Sequence, residues 1–197
     1  LPITDCPVTT IYIDTMTATS SPSSRRTPVA VWIVLAIVAA VAGALAAHFV
    51  MSPKPASDTA VESLFQAKMP DPSGTALDLS ALRGKTLVVN FWAPWCGPCV
   101  EEMPELTALH GEYAARNVEF VGIGIDSATN IQEFLKKVPV KYPLAVAGFS
   151  GTELAKQFGN AQGGLPYTVV ITPDGAVKYR KMGRVHAEEL RKELPGA

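Results

Sequence analysis

Residues 1–28 show no periodic pattern and are rich in Ser, Thr and Pro, and predict a disordered N-terminal segment. Val29 to Val50 then runs through 22 residues without a charged side chain. As a helix this run would be roughly 33 Å long at about 1.5 Å per residue, enough to span a hydrocarbon core of about 30 Å. Residues 29–50 therefore predict a transmembrane anchor or uncleaved signal; the small residues at Ala44 and Ala46 would also suit a cleavage site, but the run is longer than the apolar stretch of an ordinary signal. Residues 51–61 are polar and hold Pro53 and Pro55, as expected of a linker.

From 62 to 197 short apolar runs alternate with helical patterns, which predicts a single α/β domain. The turn residues 71–74 with Leu77 and Leu79 predict a small entry hairpin, closed by Arg83-Gly84-Lys85. The continuous apolar run 86–92 (TLVVNFW) predicts a buried central strand. A helix follows over 98–115, a strand over 118–126, and a helix over 130–138 with Ile131, Phe134 and Leu135 on one face. A strand over 142–147 and a short helix over 152–158, ended by Gly159, come next. The turn Pro173-Asp174-Gly175 joins strands 167–172 and 177–182 into a hairpin before a closing helix over 187–194. The order is βαβ followed by ββα.

Charge adds orientation. With 17 basic and 18 acidic residues the net charge is −1, so no global field points to nucleic acid. Arg180, Lys181 and Arg184 lack interleaved aromatic residues and read as a solvated strand surface. Arg25 and Arg26 precede the apolar run and only Lys54 follows it closely, which places the N-terminus inside and the domain outside. Met16, before the arginines and the apolar run, is the expected natural start; on that expectation Cys6 has no role in the mature protein.

The chemistry concentrates in Trp95-Cys96-Gly97-Pro98-Cys99, where the buried strand hands over to a helix. Unpaired N–H groups at a helix N-terminus stabilise a thiolate, which makes Cys96 the attacking thiol. Cys99, one turn later on the same face, is the resolving thiol, and Pro98 fits the first turn, where its missing N–H costs nothing. A structural zinc site needs four ligands, but the exported part holds one Cys pair, and His110 and His186 each stand alone. A purely structural disulfide rarely closes so short a loop at such a junction. No metal or cofactor is expected beyond the redox-active pair itself. Phe91, Trp92 and Phe120 read as core, and His110 as an exposed polar residue on the long helix.

The stretch VVNFWAPWCGPCVEEMPEL resembles the signature of the TlpA/ResA-like branch of the thioredoxin superfamily, and the resemblance extends from about residue 60 to the C-terminus. It implies a thioredoxin fold, a βαβ-ββα core around a mixed sheet, with an N-terminal hairpin and the branch's central insertion over 125–164, preceded by one transmembrane helix. Pro104 falls where the family kinks its active-site helix. Leu165-Pro166-Tyr167-Thr168 is similar to the cis-proline loop that packs on the dithiol and holds the substrate backbone. The resemblance therefore implies a cis Leu165–Pro166 bond, and substrate contacts at Trp95, Pro98, Leu165 and Pro166. The buried acid of thioredoxin is replaced by Asn90. The branch instead carries a glutamate at the position of Glu102, i+3 from Cys99, which is expected to be partly buried, to titrate above the usual carboxylate range and to accept the Cys99 proton. Glu101 is expected on the solvent face.

These readings predict a thiol-disulfide oxidoreductase that reduces disulfides in exported proteins, for example during cytochrome c maturation. Its Gly-Pro dipeptide matches that of strongly reducing thioredoxin. The expected setting is the bacterial inner membrane, with the catalytic domain a periplasmic monomer fed by a membrane electron donor of DsbD or CcdA type. Two alternatives use the same thiols: a peroxidase of peroxiredoxin type, although Ala93 stands where that family resembles Thr-x-x-Cys, and a Cu(I) carrier.

Overall fold

A computed structural model describes residues 29–51 and 56–196, with side chains described for 29–43 and 59–196. The expected disorder of 1–28, Met16 and Cys6 lie outside the described residues. The chain divides into two units, Leu1–Ser52 and Pro53–Ala197.

The first unit holds α1 (Val29–Met51). Among the described residues no helix is long and apolar enough to cross a membrane; the side chains of α1 are described only as far as Gly43.

The second unit opens with α2 (Ala56–Gln66), which begins inside the segment expected to be a linker. The reason is a one-sided stripe: Ala60, Val61, Leu64 and Phe65 are all buried in the core. Two short strands, β1 (Met69–Pro70) and β2 (Ala76–Leu77), pair antiparallel around a turn organised by Asp71, whose Oδ1 accepts from the N–H groups of Ser73 and Thr75. The hairpin is shorter than expected. Asp78 caps a 3-10 turn by accepting from Ser80 N at 2.9 Å, so Leu79 enters the core from that turn and not from a strand.

The main elements follow as β3 (Thr86–Trp92), α3 (Gly97–Tyr113), β4 (Val118–Gly124), α4 (Ala128–Leu135), β5 (Leu144–Val146), α5 (Phe149–Gln157), β6 (Tyr167–Ile171), β7 (Val177–Met182) and α6 (Ala187–Arg191). Five strands form one mixed sheet in the order β5-β4-β3-β6-β7. β3, β4 and β5 run parallel, while β6 is antiparallel to both β3 and β7.

Side chains alternate across β3. Leu87, Val89 and Phe91 enter the core shared with α2 and α5. Val88 and Trp92 enter the second core, built on Met103, Leu106 and Leu109 of α3. Asn90 lies between Val88 and Trp92 on the α3 side, and this alternation brings a polar residue of the central strand beneath the helix that starts with the cysteines.

Candidate functional site

The N-terminus of α3 forms the site. Cys96 is the N-cap, with extended backbone angles, and Gly97 and Pro98 open the first turn, both exposed. Cys96 and Cys99 are joined as a disulfide, and Cys99 N lies 3.3 Å from Cys96 Sγ, positioned to donate to it. The two sulfurs differ in access: Cys96 is 7 % exposed and Cys99 0 %. An incoming thiol or disulfide therefore meets Cys96 first, at the end of the helix where unpaired N–H groups favour a thiolate.

Glu102 lies one turn further on and is fully buried, beyond the partial burial expected. Its Oε1 accepts from Asn90 Nδ2 at 2.7 Å and its Oε2 from Val185 N at 2.8 Å. Asn90 Nδ2 also donates to Thr168 Oγ1 at 3.0 Å, so β3 and the loop after β7 meet on one carboxyl group, with β6 tied to it through Asn90. Burial pushes the Glu102 carboxyl up to about 7, against the pull of the Val185 and Asn90 hydrogen bonds and the Arg184 charge; Glu105 adds to the push. Burial also raises Tyr142, with a further contribution from the Glu102 charge. Glu101, by contrast, points to solvent and pairs with Arg184 at 2.7 Å.

The other expected site residues separate by role. Trp95 is 68 % exposed and stands over a cavity of about 500 Å³, with Leu165 in the same lining. Leu165 also packs against the core that contains both cysteines. The Leu165–Pro166 bond is cis, and buried Pro166 accepts from Gly183 N at 2.9 Å through its carbonyl. Pro98 does not line the cavity.

Four contributors lay beyond the sequence reading. Phe149, 94 % exposed, faces the same cavity from α5 of the insertion. Asn90 stands in the site as a hydrogen-bond donor, and Thr168 as its partner. Val185 contributes a backbone N–H, for which no residue type is a signal. His110 is not an exposed polar residue: it is half-buried, its Nε2 lies 2.9 Å from Glu119 Oε1, and its ring meets Phe120 edge-on. Nor are the basic residues of 180–184 simply solvated. Arg180 donates to Phe158 O, Lys181 pairs with Glu189, and Arg184 bridges Glu101 and Glu105. Among the described residues no group of three or more His, Cys, Asp and Glu side chains is placed to hold a metal ion.

Comparison with known proteins gives the same picture. The Redoxin family model matches residues 55–194. The thiol-disulfide oxidoreductase ResA of Bacillus cereus is 31% identical over 121 residues, 61% of this chain and 68% of that protein. Among solved structures, a thioredoxin-related protein from Neisseria meningitidis serogroup B is 35% identical, with a TM-score of 0.56 over 64% of this chain and 94% of its own. A thiol:disulfide interchange protein from Chlorobium tepidum is 25% identical, with a TM-score of 0.58 over 64% and 88%.

Proposed function

Because the chain belongs to the Redoxin family and is a thiol-disulfide oxidoreductase, we propose that it reduces disulfides in exported proteins from a membrane-anchored position on the periplasmic side of a bacterial inner membrane. The observation that carries this reading is the pairing of a slightly exposed Cys96 with a buried Cys99 above a buried, hydrogen-bonded Glu102.

In the forward step the Cys96 thiolate attacks one sulfur of the client disulfide. That bond breaks, a Cys96–client disulfide forms, and the first client sulfur leaves as a thiolate. Cys99 then gives its proton to Glu102, and its thiolate attacks Cys96 Sγ. The mixed disulfide breaks, the second client sulfur leaves, and the Cys96–Cys99 disulfide remains. The client gains two electrons and the enzyme loses two, which a membrane dithiol donor of DsbD or CcdA type restores. Glu102 suits the acceptor role because a carboxyl near 7 exchanges protons close to neutral pH. Apocytochrome c is the client class that the resemblance favours. The cavity between Trp95 and Phe149 gives a client segment apolar surface beside Cys96.

The direction of transfer has its own test. Equilibrated in glutathione buffers, the Cys96–Cys99 pair is expected to titrate near the thioredoxin value of about −270 mV. A potential near the about −120 mV of a strong disulfide donor would make the protein an oxidant and overturn the reductase reading.

Support for the anchor comes from the uncharged run 29–50 and from the helical conformation of Val29–Met51. Residues 29–43 of α1 are apolar on every face of the helix, a composition suited to lipid. With Arg25 and Arg26 before it, a reporter fused after Ala197 is expected to be active only if it functions outside the cytoplasm. Activity of a strictly cytoplasmic reporter at that position would overturn both the orientation and the choice of clients.

A further inference from the structure

The loop that follows β7 is fastened to α3 at four points. Arg184 Nη1 donates to Glu101 Oε2 at 2.7 Å, and Nη2 donates to Glu105 Oε1 at 2.9 Å. Ala187 N donates to the second Glu105 oxygen at 2.9 Å. Between these ties Val185 N donates to Glu102 Oε2 at 2.8 Å. The loop leaves the strand through Gly183, whose φ of 82° belongs to glycine, and Gly183 N is held by the Pro166 carbonyl. Without Arg184, Glu101 and Glu105 would be like charges at i and i+4 on one helix face.

We propose that Arg184 is a positioning residue: by bridging Glu101 and Glu105 it pins the 183–187 loop to α3 and keeps the Val185 N–H on the Glu102 carboxylate. It acts on the buried acid without touching the cysteines. Among the described residues the groups that bear on Glu102 are few. From α3 come Cys99 and Glu105, with Glu101 further out; from the loop come Arg184 and Val185, with His186 3.7 Å from Glu105. β3 supplies Asn90, β6 supplies Thr168 behind it, and Tyr142 lies on the segment before β5. The Arg184 charge and the Val185 hydrogen bond both favour the ionised form of Glu102, while Glu105 disfavours it. Removing the guanidinium therefore withdraws one stabilising charge and loosens one stabilising hydrogen bond. Both changes hold the proton more tightly. Lysine keeps the charge but lacks the planar fork that spans two carboxylates, so it restores only part of the effect.

This inference rests on Glu102 titrating in the folded protein, and one experiment separates the two ideas. The side-chain carboxyl carbons of glutamate are titrated by NMR in the oxidised full chain in detergent, with the Glu102 signal identified by its loss in Glu102→Gln. The wild-type midpoint is expected near 7. In Arg184→Gln it should move up by about half a pH unit or more, and in Arg184→Lys by less. Arg191→Gln removes the comparable pair with Glu112, further along the same helix, and should leave the midpoint in place. A wild-type midpoint near 4.5 would overturn the Glu102 reading and this proposal together. A midpoint near 7 that Arg184→Gln leaves unmoved, or that Arg191→Gln moves as far, would overturn the positioning role alone. If Arg184→Gln fails to fold, Arg184→Lys carries the test: a wild-type midpoint in that variant counts against the bridge.

Discussion

Cys99→Ser is expected to lower disulfide turnover by about 100-fold or more while leaving Cys96 able to attack, so that covalent enzyme–client species accumulate. The asymmetry of the two sulfurs is the reason. Cys96 has 7 % of its surface open and Cys99 none, so a client reaches only the first. Serine at 99 retains the backbone N–H that lies 3.3 Å from Cys96 Sγ, and the start of α3 still favours a thiolate there. What serine removes is the second thiolate, and with it the step that releases the client. Cys96→Ser should show the same loss of turnover with no trapped species, because buried Cys99 has no path to a client disulfide. Non-reducing electrophoresis and mass spectrometry of affinity-purified protein from cells read both results, and the clients attached to Cys96 identify the substrate class. Adducts on Cys99 in the Cys96→Ser variant would show that the buried thiol is the nucleophile and would reverse the assignment.

The parts of this site that sequence makes legible are those encoded locally. TLVVNFW is apolar apart from Thr86 and Asn90 because β3 is the central strand and is covered on both faces, and every one of its residues is buried. The Cys-Gly-Pro-Cys motif marks the first turn of α3, and the i+3 spacing places Glu102 on the Cys99 face. What the pattern hides depends on contacts made far along the chain. In α2 the stripe of Ala60, Val61, Leu64 and Phe65 is preceded by Ser57, Asp58 and Thr59 and interrupted by Glu62 and Ser63, after a proline-containing stretch, so it reads as a tether until the core claims it. His110 looks like a surface residue by type alone, and only Glu119 on β4 and the rings of Phe120 and Tyr142 explain its half-burial. The bonds that hold Glu102 and its neighbours reach 83 residues for Arg184 to Glu101 and 83 for Val185 to Glu102. The second donor is a main-chain N–H, which any residue but proline could supply. The chemistry of the dithiol is therefore readable from a pentapeptide, whereas the groups that hold Glu102 emerge only from the fold.

That tuning has a thermodynamic consequence, which Glu102→Gln should expose. Glu102 holds its proton to about 7 in the folded protein, against an ordinary value of 4.5. Below pH 4.5 the group is neutral in both folded and unfolded chains and makes no difference to stability. As pH rises from 4.5 to 7 the unfolded chain releases this proton and the folded protein keeps it, so stability falls through that window. Above 7 the full difference applies, on the order of 3 kcal/mol. Glutamine carries no proton to release, so the variant should lack this dependence between pH 4.5 and 7. The exchange is nearly isosteric but not free. Glu102 accepts from both Asn90 and Val185, whereas glutamine offers one acceptor and one amide donor. With its oxygen toward Val185 N, the amide would face Asn90 Nδ2 unless Asn90 turns and presents Oδ1, which has no hydrogen-bond partner in the native arrangement. A mismatch of that kind costs about 1 kcal/mol. Urea unfolding of the oxidised protein should therefore show Glu102→Gln equal to the wild type or up to about 1 kcal/mol less stable at pH 4.5, and about 2–3 kcal/mol more stable at pH 8. The same variant should be slower in the exchange steps that pass through Cys99, since the proposed proton acceptor is gone. A residue that weakens the fold at working pH and speeds the chemistry is retained for function and not for stability. A stability difference that stays constant from pH 4.5 to 8 would mean that Glu102 is already ionised across the range, and the assignment of a neutral, buried acid beside Cys99 would fall.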